Sequence, residues 1–273
     1  MSAAGRVWAW VLAAASGVAC AVLYAFATGT RAGRGLDDEI LNNALEGGSL
    51  GLSAQVVVHI VNPVTATAAG VGILWFAVTR RGRATAFALG VTLVAANASP
   101  ALLKMLLRES DPVAGETARD LGAGFYPSGH VTAAMSVVLA MLVLIRPGPA
   151  RARAALGGGL AAGAFGAANV VAQAHHASDV VGAFLLATAW MALMYAILPT
   201  TSRSEHRSMP LNALAPAVLV GIVGALGALA VASRGWPMAP VAAAAGVCSI
   251  ALALVAAVAA LEPSQTVSDP SRG

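Results

Sequence analysis

The chain is 273 residues long, 58% hydrophobic and only 10% charged, with a formal net charge of +4. Soluble domains carry about 25% charged residues, so these figures exclude a water-soluble globular enzyme, and they exclude disorder, which needs low hydrophobicity and high charge. The mean hydropathy is +0.78 and the isoelectric point 9.7, but the basic residues, among which Lys104 is the sole lysine, sit in short clusters between apolar runs. That is the pattern of membrane topology signals and not of a nucleic-acid face.

Stretches of about 20 apolar residues recur along the chain, each long enough to cross ~30 Å of hydrocarbon as a helix. In chain order the runs at 7–28, 54–78, 84–106, 127–146, 154–173, 178–198, 212–232 and 238–261 predict an all-α, polytopic membrane protein of about eight spans. The first run ends in Ala25-Phe26-Ala27, which resembles a signal-peptidase site. Its apolar stretch exceeds the ~7–15 residues of a signal h-region, which predicts an uncleaved anchor. Between the first two spans, Leu36, Ile40, Leu41 and Leu45 against a charged opposite side predict a short interfacial helix over 35–50.

Arg80, Arg81 and Arg83 follow the second span, Arg146, Arg151 and Arg153 the fourth, and Arg203 and Arg207 the sixth. In loops 29–53 and 107–126 the arginines are offset by Asp and Glu. The positive-inside rule then predicts a multi-pass protein of the cell membrane with both termini cytoplasmic and loops 29–53, 107–126 and 174–178 facing outward. Cys20 and Cys248 lie in apolar runs and read as buried thiols, with no disulfide frame and no metal site. The tail 262–273, rich in Ser, Pro and charge, is expected to be disordered.

Polar residues in or beside spans are costly and are the first functional candidates. Lys104 and Arg108 end the third span, Ser128 and His130 open the fourth, and His175, His176 and Asp179 lie between the fifth and sixth. The predicted topology brings all three groups to the outer face. In Tyr126-Pro127-Ser128-Gly129-His130 the proline suits a first helical turn, and the open N–H groups of such an end bind phosphate. The same sequence also starts helices that hold no ligand. His175 and Asp179, four apart, share a helix face, so the carboxylate can fix one imidazole nitrogen and leave the other as a nucleophile. A purely structural His–Asp bond fits that spacing too, and His176 is also within reach of Asp179. Lys104 and Arg108, one turn apart, either clamp phosphate oxygens or snorkel to the interface. His59, close to Asn62 and Pro63, reads as a packing residue at a kink.

Together these segments resemble the type 2 phosphatidic acid phosphatase superfamily, which includes the vanadium haloperoxidases. Pro127-Ser128-Gly129-His130 matches one signature segment in full. His175, three residues and Asp179, followed by Val180-Val181-Gly182, matches the end of another, and Lys104 matches the first. The resemblance implies a six-helix, lipid-phosphatase-like core over 1–198, with its motifs in 54–198, followed by two additional spans over 199–261 and the tail. It implies an integral membrane phosphatase of a lipid phosphate or pyrophosphate at the outer face, working without metal or organic cofactor. In that scheme His175 attacks phosphorus, Asp179 orients it, and His130 protonates the leaving group. Lys104, Ser128, Gly129 and Arg108 hold the phosphoryl oxygens. The partners implied are the lipid phosphate substrate and membrane lipids.

Two departures stand against the family pattern. Seven positions after Lys104, where the family has Arg, stands Asp111, with Glu109 at a shorter spacing. The Ser-Arg pair before His175 falls on Ala168-Asn169. Each charged hydrogen bond to a phosphoryl oxygen can be worth ~1.5–3 kcal/mol, so the losses support an alternative: a catalytically weak or inactive relative that binds lipid phosphate or serves a cell-envelope complex. A transporter is disfavoured, because its polar residues would gather near the bilayer midplane.

Overall fold

The computed structural model describes residues 3–42, 49–108, 126–146, 148–197 and 239–261. Among them the secondary structure is helical throughout: α1 (Ala3–Gly29), α2 (Arg31–Asn42), α3 (Ser49–Ile60), α4 (Pro63–Arg81), α5 (Arg83–Arg108), α6 (Gly129–Leu144), α7 (Pro149–Val171), α8 (Ala177–Ile197) and α9 (Ala239–Ala259). Four of these, α1, α5, α7 and α8, are long and apolar enough to cross a membrane, and a fifth span results if α3 and α4 are taken as one broken span. The α6 helix and the part of α9 from Ala243 are apolar but shorter. The eight spans expected from hydropathy are therefore present in part; the run 212–232 and the tail 262–273 lie outside the described residues.

Helices α6 and α8 are apolar all round, which marks a helix enclosed by others. Both are central. Val131, Met135 and Leu139 of α6 and Val180, Phe184 and Met191 of α8 are fully buried. Around them pack α1, α5, α7 and α9, with α1 running along α8 and α9 along α7. The α7–α9 contact is close because glycines face it: a Cβ on Gly163 would stand 2.7 Å from the Cα of Cys248.

Three local features position the rest. The expected single span 54–78 is broken, and α3 and α4 meet at 49°. Pro63 has no N–H to continue α3, and Asn62 starts α4 with a capping box: its Oδ1 accepts from Val64 N–H and Thr65 N–H at 2.9 and 3.1 Å, while Thr65 Oγ1 accepts from Asn62 N–H at 2.9 Å. The amphipathic helix begins at Arg31, four residues before the expected start, because Thr30 Oγ1 accepts from Gly33 N–H at 2.9 Å. Gly33 also lets α2 approach α1, since a Cβ there would run into the carbonyl oxygen of Phe26. Finally, α5 runs on through Pro100, with the side chains of Asn97 and Ser99 bonded to carbonyls one turn back, and so carries Lys104 to the same end as His130 and His175.

At the opposite end, Arg151 is buried and donates to the carbonyls of Leu142, Ile145 and Ala259 and to the Tyr195 hydroxyl. Among the topology arginines it is one that the fold draws inside.

Candidate active site

The turn between α7 and α8 takes five residues. Gln173 adopts a left-handed φ of 55°, and the N–H groups of Ala174 and His175 both donate to the Asn169 carbonyl at 3.0 and 3.3 Å. This folds the chain back over the end of α7 and delivers His175 and His176 to the start of α8. Asp179, in the first turn of α8, is buried, and its Oδ2 accepts from His176 N–H at 3.1 Å. The same oxygen lies 3.5 Å from His175 Nδ1 and 3.6 Å from His176 Nδ1. The i,i+4 pair expected from the sequence is therefore formed, and both histidines approach one carboxylate oxygen. His175 is largely covered, at 10% side-chain exposure, and its Nδ1 faces Asp179, which leaves Nε2 for other partners.

The start of α6 is tied to the start of α8 by a hydrogen bond from Ser128 N–H to the Asp179 carbonyl, 3.1 Å. Ser128 is fully buried, and its Oγ caps the helix by accepting from Val131 N–H at 3.4 Å. Its hydroxyl proton is what it has left to offer an anion. The N–H groups of Gly129 and His130 precede the internal ladder of α6, which makes them first-turn donors at the positive helix end. His130 is exposed, and the charges of His175, Lys104 and His59 act on it. The charge of Asp179 likewise acts on Lys104, which is half-buried. Lys104, His130, His175 and Asp179, from three separate parts of the chain, thus share one electrostatic neighbourhood.

Tyr126 anchors the segment that precedes α6. Its hydroxyl donates to the Cys20 carbonyl at 2.6 Å and lies 3.2 Å from Cys20 Sγ, and its ring stands 5.3 Å from that of Tyr24. Burial holds the phenol's pKa far above the ordinary value, so it serves as a neutral donor. Gly182 leaves room for the ring, since a Cβ there would lie 2.5 Å from it.

The remaining expectations divide. Arg108 ends α5, but its side chain lies outside the described residues, as do Glu109 and Asp111. Asn169, where the family pattern has Arg, is fully buried and donates back to the Phe165 carbonyl at 2.8 Å, away from the cluster. His59 is exposed at the end of α3, with Nδ1 2.7 Å from the Gln55 carbonyl. It lies at the break, as expected, but it is exposed and not the packing residue expected, and it also comes within electrostatic range of His130, which was not expected.

Two acidic residues at the cluster were missed by sequence reasoning. Asp37 of α2 accepts from Ser178 N–H at 3.2 Å and from the Ser178 hydroxyl, and Asp38 Oδ1 lies 3.5 Å from His176 Nε2. The signal was the acidic run on the interfacial helix, but nothing in the sequence pairs it with residues 141 positions away.

Residues 85–203 match the family model of the PAP2 superfamily. No curated protein and no solved structure matches the chain.

Proposed function

We propose that this chain is a PAP2-type integral membrane phosphatase that removes phosphate from a lipid phosphate or pyrophosphate at the outer membrane face. The observation that carries the proposal is the buried Asp179 carboxylate 3.5 Å from His175 Nδ1, with Lys104 and His130 in the same electrostatic neighbourhood. A phosphatase-type membrane protein is the coarse assignment that family and helices support.

With its Oδ2 3.5 Å from His175 Nδ1, Asp179 favours the tautomer protonated at that nitrogen, whose Nε2 carries a lone pair. That nitrogen attacks phosphorus; the N–P bond forms as the bond from phosphorus to the leaving oxygen breaks. His130 gives its proton to that oxygen and leaves as a neutral imidazole. Water then attacks the phosphohistidine, His130 takes the water's proton, the N–P bond breaks, and inorganic phosphate departs. The phosphoryl oxygens are held by Lys104, the Gly129 N–H and the Ser128 hydroxyl, with Arg108 as a further donor from the end of α5. The site lies at an end of the bundle, where a headgroup can sit while its hydrocarbon stays in the bilayer.

A second reading rests on Asn169. With its amide turned back to Phe165, it supplies no cation where the family pattern has one, which favours a relative that binds lipid phosphate with low turnover. Phosphate release by the detergent-purified protein from phosphatidate, undecaprenyl pyrophosphate and phosphatidylglycerophosphate separates the two. Release that disappears in His175→Ala is expected. Equal background from both proteins would leave the binding role.

A further inference from the structure

The helix α2 lies outside the matched stretch 85–203, yet it meets the histidine turn through two adjacent carboxylates. Its apolar side is turned inward, with Ile40 buried and Leu36 packed on the core, while Arg31 and Asp38 are exposed. This is the pattern of a helix lying along a membrane surface. Two routes lead from it to Asp179. One runs through Ser178: its N–H is a first-turn donor of α8 with no partner inside that helix, and Asp37 accepts from it, doing from a separate helix what an N-cap side chain does. The other runs through His176, whose Nε2 is 3.5 Å from Asp38 and whose Nδ1 is 3.6 Å from Asp179.

We propose that Asp37 and Asp38 are positioning residues: they dock α2 on the turn that carries His175, with His176 as a cationic bridge from Asp38 to Asp179. The catalytic consequence rests on the phosphatase reading; the docking does not. Isolated surface ion pairs contribute little, but here one carboxylate takes two bonds from a single serine and its neighbour contacts a histidine three residues from Asp179. Among the described residues, the charged groups that act on His176 are Asp37 and Asp38 from α2 and Asp179 from α8. Contact with Asp179 pushes the imidazole's pKa above its ordinary range, with Asp37 and Asp38 adding to the effect and burial opposing it. For Asp37, burial raises the carboxyl's pKa despite the bonds from Ser178 and the nearby His176. An aspartate kept at such a place against its solvation preference needs a reason beyond solubility.

The test uses the full-length chain in detergent. Hydrogen exchange is followed on a peptide covering residues 174–182, and phosphate release against pH, for wild type, Asp37→Asn, Ser178→Ala, Asp38→Asn and, as a control, Arg31→Gln. We expect Asp37→Asn and Ser178→Ala to speed exchange in that peptide about tenfold, the change that loss of one charged hydrogen bond of ~1.5 kcal/mol gives, and to lower kcat with KM unchanged. Asp38→Asn should move the alkaline limb of the kcat profile to lower pH, because His176 loses a carboxylate partner. Arg31→Gln should change neither. Unchanged exchange in Asp37→Asn overturns the docking. Faster exchange with kcat and pH profile intact overturns the positioning role. The expected exchange response in a wild type that releases no phosphate from any lipid upholds the docking and overturns the phosphatase reading instead.

Discussion

Replacing Gly182 by alanine tests whether Tyr126 is held where the site needs it. The added Cβ would stand 2.5 Å from the Cε2, Cζ and hydroxyl oxygen of Tyr126, well inside the ~3.5–4.0 Å at which carbon atoms rest against one another. The ring has little freedom to retreat, because its hydroxyl is bonded to the Cys20 carbonyl at 2.6 Å and Tyr24 packs beside it. Overpacking of this kind costs about 1–3 kcal/mol, and at roughly 2–4 °C per kcal/mol for a chain of this order of size the apparent Tm should fall by ~2–12 °C. The assay is thermal unfolding in detergent, followed by labelling of the buried Cys20 thiol. A double-mutant cycle identifies the clash: in a Tyr126→Ala background the same glycine change should cost less than half as much, since the atoms it meets are gone. Phosphate release should fall with Gly182→Ala as well, because Tyr126 leads directly into Pro127-Ser128-Gly129-His130. An unchanged Tm, or an equal loss in both backgrounds, would refute the reasoning.

Other consequences can be checked in the same preparation. His176 has a folded-state pKa above its ordinary 6.5, so the stability it contributes is complete below that value and is lost as pH rises through the raised one; unfolding measured from pH 6 upward should show this decline, and His176→Gln should flatten it. Arg151→Ala leaves the carbonyls of Leu142 and Ala259 without this donor, while Ile145 keeps Arg81, and should cost about 2 kcal/mol or more at ~1–3 kcal/mol per buried unsatisfied group, read as a lower Tm. Ser128→Ala removes the cap on α6 and should cost ~0.5–2 kcal/mol, with the loss measured by the same thermal assay.

What the sequence discloses here is mostly local. His175 and Asp179 are one turn apart, so their meeting follows from helical spacing, and Asn62-Pro63 announces the break through well-known cap and proline chemistry. Hydropathy and arginine placement also predict that Lys104, His130 and His175 share an end, and the structure brings them into one electrostatic neighbourhood. Contacts between distant segments are different. Asp37 and Ser178 are joined across 141 positions, and an acidic residue on an interfacial helix looks the same whether water or a serine receives it. Arg151 misleads for a related reason: counting arginines by loop treats each as a surface charge, whereas this one satisfies carbonyls from α6 and α9. Ser128 is legible as part of a motif, but its burial depends on α8 lying beside it, which no short pattern records.

The glycine face of α7 has a consequence for how the protein is made. Gly159 and Gly163 leave room for Leu252 and Cys248 of α9 at backbone distance, yet α9 is translated roughly 70 residues after α7 ends, several seconds later at ~5–20 residues per second. During that interval a stripe of small residues, the kind of surface that draws membrane helices together, stands open in the newly inserted chain. The ribosome's pace, the lipid around it and any helix that happens by all act on α7 before its own partner emerges. Slowing translation between the two helices should therefore lower the yield of folded protein even though no residue has changed.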